Sequence, residues 1–178
     1  MKLSKRIQNV APSATLAASQ KANDLKAKGI DVISLTVGES DFDPPEYIAQ
    51  AAIETIKEHT GDRYTPVNGI PELRQAIADS YKRDADVQYD LDQIFVGTGA
   101  KNVLFTLFQV LVDPGDEVII PVPYWVSFSE HVKMAGGEPV FIQGPYEDSY
   151  KITVKDLEKA YTDQTVALLL NSPSNPSG

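Results

Sequence analysis

From Asp90 onward, short apolar runs alternate with longer amphipathic ones, and this alternation restricts the fold more tightly than anything else in the sequence. The runs "IFVG" (94–97), "EVIIP" (117–121), "EPVFI" (138–142) and "VALLL" (166–170) read as strands. Between them "AKNVLFTLFQVLV", "WVSFSEHVKMA" and "TVKDLEKAY" read as helices, the second closed by Gly136 and Gly137 and the third opened by Thr153 and Asp156 at capping-box spacing. Repeated strand–helix units of this kind build right-handed crossovers on a mainly parallel sheet with helices on both faces, an α/β fold. Val166–Leu170 carries no polar alternation, so it is expected to be covered on both faces of that sheet. In such sheets ligands gather where strands end and helices begin, which directs attention to the loops after Val96, Ile120 and Leu170.

The first half of the chain is plainer. Residues 13–28 read as a helix opened by Ser13 or Thr15 and closed by Gly29, and "DVISLTVG" (31–38) as a strand. After the acidic loop "ESDFDPP", Pro45 suits the first turn of a helix with Ile48, Ala52 and Ile56 on one face. A further helix runs from Pro71 with Leu73, Ile77 and Tyr81 aligned, and the loop "GDRYTPVNGIP" lies between the two.

Charge and composition exclude several function classes. The net charge of -9 over 178 residues argues against a nucleic-acid surface or an anchor on anionic lipid. Cysteine is absent and only His59 and His131 represent histidine, so thiolate metal centres are excluded and no metal site is expected. The basic N-terminus never reaches a long apolar stretch, so no signal peptide is expected and the cytoplasm is the expected compartment.

Three loops carry residue types suited to chemistry. In "GTGAKN" glycines run straight into a helix, where free backbone amides and the helix dipole attract a phosphate; the same glycines also suit simple strand-to-helix packing. It is not a dinucleotide fingerprint, because Asn102 stands where a third glycine is needed. "VPYWVS" holds the only tryptophan, Trp125, able either to stack on a planar ring or to fill the core. "NSPSNPSG" holds Asn175 between prolines, which fixes the direction of its amide at little entropic cost, although an ordinary turn is the plainer reading.

Taken in order and spacing, "VGESDFDPPE", "RYTPVNGIPELR", "GTGAKNVLFTLFQVLVDPGDEVIIPVPYWVSF", "AGGEPV" and "NSPSNPSG" resemble the N-terminal half of the class I aminotransferases, pyridoxal-phosphate enzymes of fold type I. The likeness is greatest to the bacterial aspartate aminotransferases whose sequences begin with a "PSAT" segment. It implies an N-terminal arm and small-domain segment over residues 1–45 and the first part of the large cofactor-binding α/β domain over 46–178. It also implies that Gly99, Ala100 and Lys101 hold the phosphate of pyridoxal 5'-phosphate, that Trp125 stacks on its ring, and that Asn175 bonds its phenolic oxygen. Gly38, Trp125 and Asn175 then contact the substrate, and Lys101 with Ser13 and Thr15 resembles the set that recognises the distal carboxylate of aspartate. Lys101 paired only with phosphate or solvent is the alternative. Tyr64 would reach the cofactor phosphate of a neighbouring subunit, which implies a homodimer with shared sites.

The activity implied is transfer of an amino group between aspartate and 2-oxoglutarate, with an aromatic or prephenate aminotransferase, another fold-type-I enzyme, or a non-catalytic half-length homologue as alternatives. The last motif has Ser177 where the family usually has threonine, which keeps the hydroxyl. The Schiff-base lysine, the carboxylate for the pyridine nitrogen and the arginine for the substrate carboxylate match positions beyond Gly178. The chain is therefore expected to be an N-terminal fragment with no catalytic residue of its own, inactive alone.

Overall fold

A computed structural model describes residues 2–178. In chain order the elements are α1 (Lys5–Gln8), α2 (Ala14–Ala27), α3 (Glu46–Lys57), α4 (Pro71–Ala85), α5 (Gly99–Leu111), β1 (Glu117–Val122), α6 (Ser127–Ala135), β2 (Glu138–Gln143), α7 (Val154–Ala160) and β3 (Thr165–Leu168). They fall into two compact units, one of Met1–Thr36 with Gly99–Gly178 and the other of Val37–Thr98.

The first unit is built on a three-stranded parallel sheet in the order β2-β1-β3, with Glu117–Val122 in register against Glu138–Gln143. On one face Val118 and Ile120 pack with Phe108 and Val112 from α5 and its end and with Phe128 and Val132 from α6. On the other, Ile119 shares an apolar groove with Val154, Leu157 and Tyr161, on and just beyond α7. Helices thus cover both faces, as the alternation requires. Local signals place the ends: Thr153 and Asp156 form the capping box, Gly136 closes α6 at φ 102°, and Ser13 caps α2 by accepting the Leu16 amide at 3.3 Å. Among the described residues no helix is long and apolar enough to cross a membrane.

The second unit contains α3 and α4. Pro71 opens α4, where its missing N–H costs nothing, and Arg74 from α4 donates to the Leu91 carbonyl at 2.8 Å. Gly69 at φ +100° lies against Val96, where a Cβ would come within 2.8 Å of the valine side chain.

Three expectations need correction. Residues 31–38 and 94–97 form no strand, although both are rich in β-branched residues. A strand exists only when its backbone groups pair, and here the Val96 amide donates to the Asn68 carbonyl in place of a ladder. Val166–Leu170 is also not covered on both faces: only Thr165–Leu168 is strand, and Val166, Leu168 and Leu170 are exposed while Ala167 and Leu169 pack against the core. β3 is an edge strand of the sheet, so its continuous apolar run looks like an interior strand but meets a full layer on one side only.

The N-terminal segment is tied to this unit by one long-range bond. The Ala11 amide donates to Glu130 Oε2 at 2.9 Å, and Lys133 Nζ donates to Glu130 Oε1 at 2.9 Å. Burial pushes the Glu130 carboxyl upward, but the bonds from Lys133, Ala11 and Ser129 outweigh it and hold the group below its ordinary value of 4.5. A carboxyl depressed in the folded state contributes stability above its unfolded value and loses it as pH falls through the folded one. The Tm difference between the wild-type chain and Glu130→Gln, read by calorimetry, is therefore expected to be open at neutral pH and to close progressively on acidification below 4.5. A gap independent of pH would refute the bond's role. In the core, Val132 has no exposed surface, and Val132→Ala is expected to cost about 2 kcal/mol in denaturant unfolding.

Candidate functional site

The sheet's C-terminal edge is where the first unit opens. β1 leaves through Pro123, Tyr124 and Trp125 into α6, and β3 leaves through Asn171–Gly178. A cleft of about 430 Å³ lies between these exits, lined in part by Pro123, Tyr124, Lys151, Asn171 and Ser174. Ser174 Oγ donates to the Pro123 carbonyl at 3.5 Å, which links the two loops directly. Asn175 follows, its backbone amide bound to Asn171 Oδ1 at 2.8 Å and its side chain exposed.

Trp125 lies beside this cleft, packed edge-on to Phe128 with ring centroids 5.3 Å apart. The Lys101 ammonium, from the first turn of α5, sits over the indole ring 5.1 Å from its centroid. That distance lies within the range of cation–π attraction. His131 is buried, meeting Trp125 at 6.3 Å and Phe105 at 6.1 Å between ring centroids, both in T-shaped geometry. Burial first, and then the Lys101 charge, push its imidazole below the ordinary histidine value of 6.5, which favours its neutral form.

The start of α5 has the character of an anion cradle. Gly99 stands at φ +80°, a conformation that glycine adopts without strain, and a Cβ there would meet nothing within 4 Å. The first-turn amides of a helix lack intrahelical partners, and this turn holds no acidic residue but does hold the Lys101 cation. The residue set thus fits a phosphorylated aromatic ring: open amides and a cation for the phosphate, an indole for the ring and an amide side chain on a tethered loop.

The remaining expected positions lie on other segments. Ser13 spends an acceptor lone pair on the Leu16 amide, which leaves its hydroxyl hydrogen available, and Thr15 is exposed one residue into α2. Gly38 and Tyr64 belong to the second unit, both exposed. The cleft wall includes Ser174 but none of Gly99, Lys101, Trp125 or Asn175. His131 and Glu130 escaped the sequence reading as site-adjacent residues. The available signal was their place one to two helical turns after Trp125, on the helix that the indole precedes.

Comparison with known proteins is consistent throughout the chain. The profile described as aminotransferase class I and II matches residues 30–178. An aspartate aminotransferase of Bacillus sp. (strain YM-2) is 52% identical over 176 residues, covering 99% of this chain and 45% of that protein. A probable aspartate/prephenate aminotransferase of Rhizobium leguminosarum bv. phaseoli is 51% identical over 176 residues, with 99% and 44% covered. Among solved structures, the aspartate aminotransferase of Rhizobium meliloti superposes with a TM-score of 0.93 at 43% identity, over 99% of this chain and 44% of that one. The Thermus thermophilus enzyme with maleate gives 0.92 at 42% identity, over 99% and 46%. The chain thus spans less than half the length of the relatives it matches. The chain belongs to the class I and II aminotransferase family.

Proposed function

We propose that these residues form the phosphate and ring-stacking side of the pyridoxal 5'-phosphate site of an aminotransferase that exchanges an amino group between aspartate and 2-oxoglutarate. The observation that carries this reading is the Lys101 ammonium over the Trp125 ring, beside the open glycine turn that starts α5. Relatives named for aspartate support the substrate class. The name aspartate/prephenate aminotransferase on others keeps prephenate as a second acceptor class.

Bound pyridoxal phosphate supplies an electron-withdrawing ring that takes up the electron pair released when an amino acid loses its α-proton. The chain's own residues do the holding. The amides of Gly99, Ala100 and Lys101 bind phosphate oxygens, and the flat face of Trp125 fixes the ring plane and excludes water from it. Asn175, on a loop stiffened by Pro173 and Pro176, donates its side-chain amide to the ring's phenolic oxygen. Gly38 offers a backbone N–H to the substrate α-carboxylate, and Lys101, Ser13 and Thr15 supply a cation and two hydroxyls for the distal carboxylate. Lys101's long flexible stem allows its ammonium to leave the indole for an anion.

In this reading the proton-moving lysine lies outside the chain, residues 1–45 are arm and small-domain segment, and residues 46–178 begin the cofactor domain. Tyr64 serves the cofactor phosphate of a second subunit, the enzyme is a homodimer, and it works in the cytoplasm.

Titration of the chain with pyridoxal phosphate, followed by the emission of its single tryptophan, is expected to give saturable quenching that ATP does not reproduce. Unsaturable quenching, or equal response to both, would remove the proposal. In the longer enzyme Lys101→Ala is expected to lower kcat/KM for aspartate by about 10- to 100-fold more than for alanine, the worth of a charged hydrogen bond. Equal losses for both donors would leave Lys101 to the phosphate alone.

A further inference from the structure

We infer that His131 is a positioning residue, a buried aromatic wedge that fixes the plane of the Trp125 indole. Its consequence for cofactor binding rests on the reading above; its effect on Trp125 does not. Three observations converge on it. His131 is only 6% exposed, and it meets two rings edge-on, Trp125 at an interplanar angle of 89° and Phe105 at 74°. Its Nδ1 is fully buried and has no hydrogen-bond partner.

A buried ring nitrogen without a partner is a cost that a purely apolar side chain would avoid, so hydrogen bonding does not explain the residue at this position. What the imidazole supplies is a flat, rigid body. Trp125 precedes the first turn of α6 and therefore lacks the full set of helical neighbours that would fix its rotamer. Phe128 and His131, one turn apart on α6, each meet the indole in T-shaped geometry, at interplanar angles of 87° and 89°. Lys101 lies over the ring, so the indole meets two rings and one cation. The neutral state of the imidazole suits this role, because an imidazolium there would stand close to the Lys101 charge.

Since Trp125 is the only tryptophan, its emission reports on this plane alone. The chain is compared as wild type, His131→Ala, His131→Phe and His131→Gln by acrylamide quenching, steady-state anisotropy and pyridoxal phosphate titration, with circular dichroism to score folding. His131→Ala is expected to raise the quenching constant by about twofold, lower the anisotropy and weaken pyridoxal phosphate by about two- to tenfold, the worth of one aromatic pair. His131→Phe, which keeps a ring, is expected to restore all three, while His131→Gln, which keeps only polarity, is not. Unchanged quenching in His131→Ala, or rescue by glutamine in place of phenylalanine, overturns the inference. If alanine abolishes folding, the phenylalanine and glutamine variants decide between ring and polar roles by the same signals. Absence of pyridoxal phosphate binding in the wild type would defeat the functional reading, and the emission comparison would still judge His131.

Discussion

Burial of β1 on both faces is the constraint from which the rest of the first unit follows. Val118, Ile119 and Ile120 are 0%, 2% and 0% exposed, three consecutive residues pointing to alternate sides. Only a strand with partners on both edges and helices on both faces can achieve this, and β2, β3, α5, α6 and α7 supply those neighbours. With all three strands parallel, β1 and β3 must release the chain at the same end of the sheet. The turn that carries Trp125 and the loop that carries Asn175 are neighbours for that reason, and the Ser174–Pro123 hydrogen bond records the closeness. Packing of α5 against α6 then brings Lys101 over the indole.

How much of this was legible depended on whether the cause was local. The helices follow from periodicity and caps, and the Thr153–Asp156 box and the Gly136 stop appear where the spacing puts them. The segments 31–38 and 94–97 have strand-like composition without strand structure, because pairing is a property of two segments and composition describes one. Val166–Leu170 shows the same limit from the other side. An unbroken apolar run states that a segment tolerates burial on both faces, while the sheet order decides how many faces are covered.

The candidate site divides along the same line. Gly99, Trp125 and Asn175 were readable because each stands in a loop whose glycine, aromatic or proline content is out of proportion to a mere connection. His131 carried no such mark. On a helix face next to Phe128 and Val132 it looks like any core position, and its relation to Trp125 and Phe105 exists only after α5 and α6 have packed. Glu130 is similar: its partner Ala11 is 119 residues away in sequence, a distance that no local pattern can bridge.

The electrostatics of the cluster give it a direction. Two basic side chains, Lys101 and His131, approach one indole, and burial first, then the Lys101 charge, lowers the proton affinity of the imidazole. Lys101 is solvent-exposed on a long flexible stem, while His131 is a rigid, buried ring. The first turn of α5 therefore presents a cation on a flexible stem, next to amides that favour an anion. A charged imidazole would instead fix positive charge in a buried ring, unable to follow a ligand. The arrangement places the charge on the side chain that can move and the rigidity on the one that cannot.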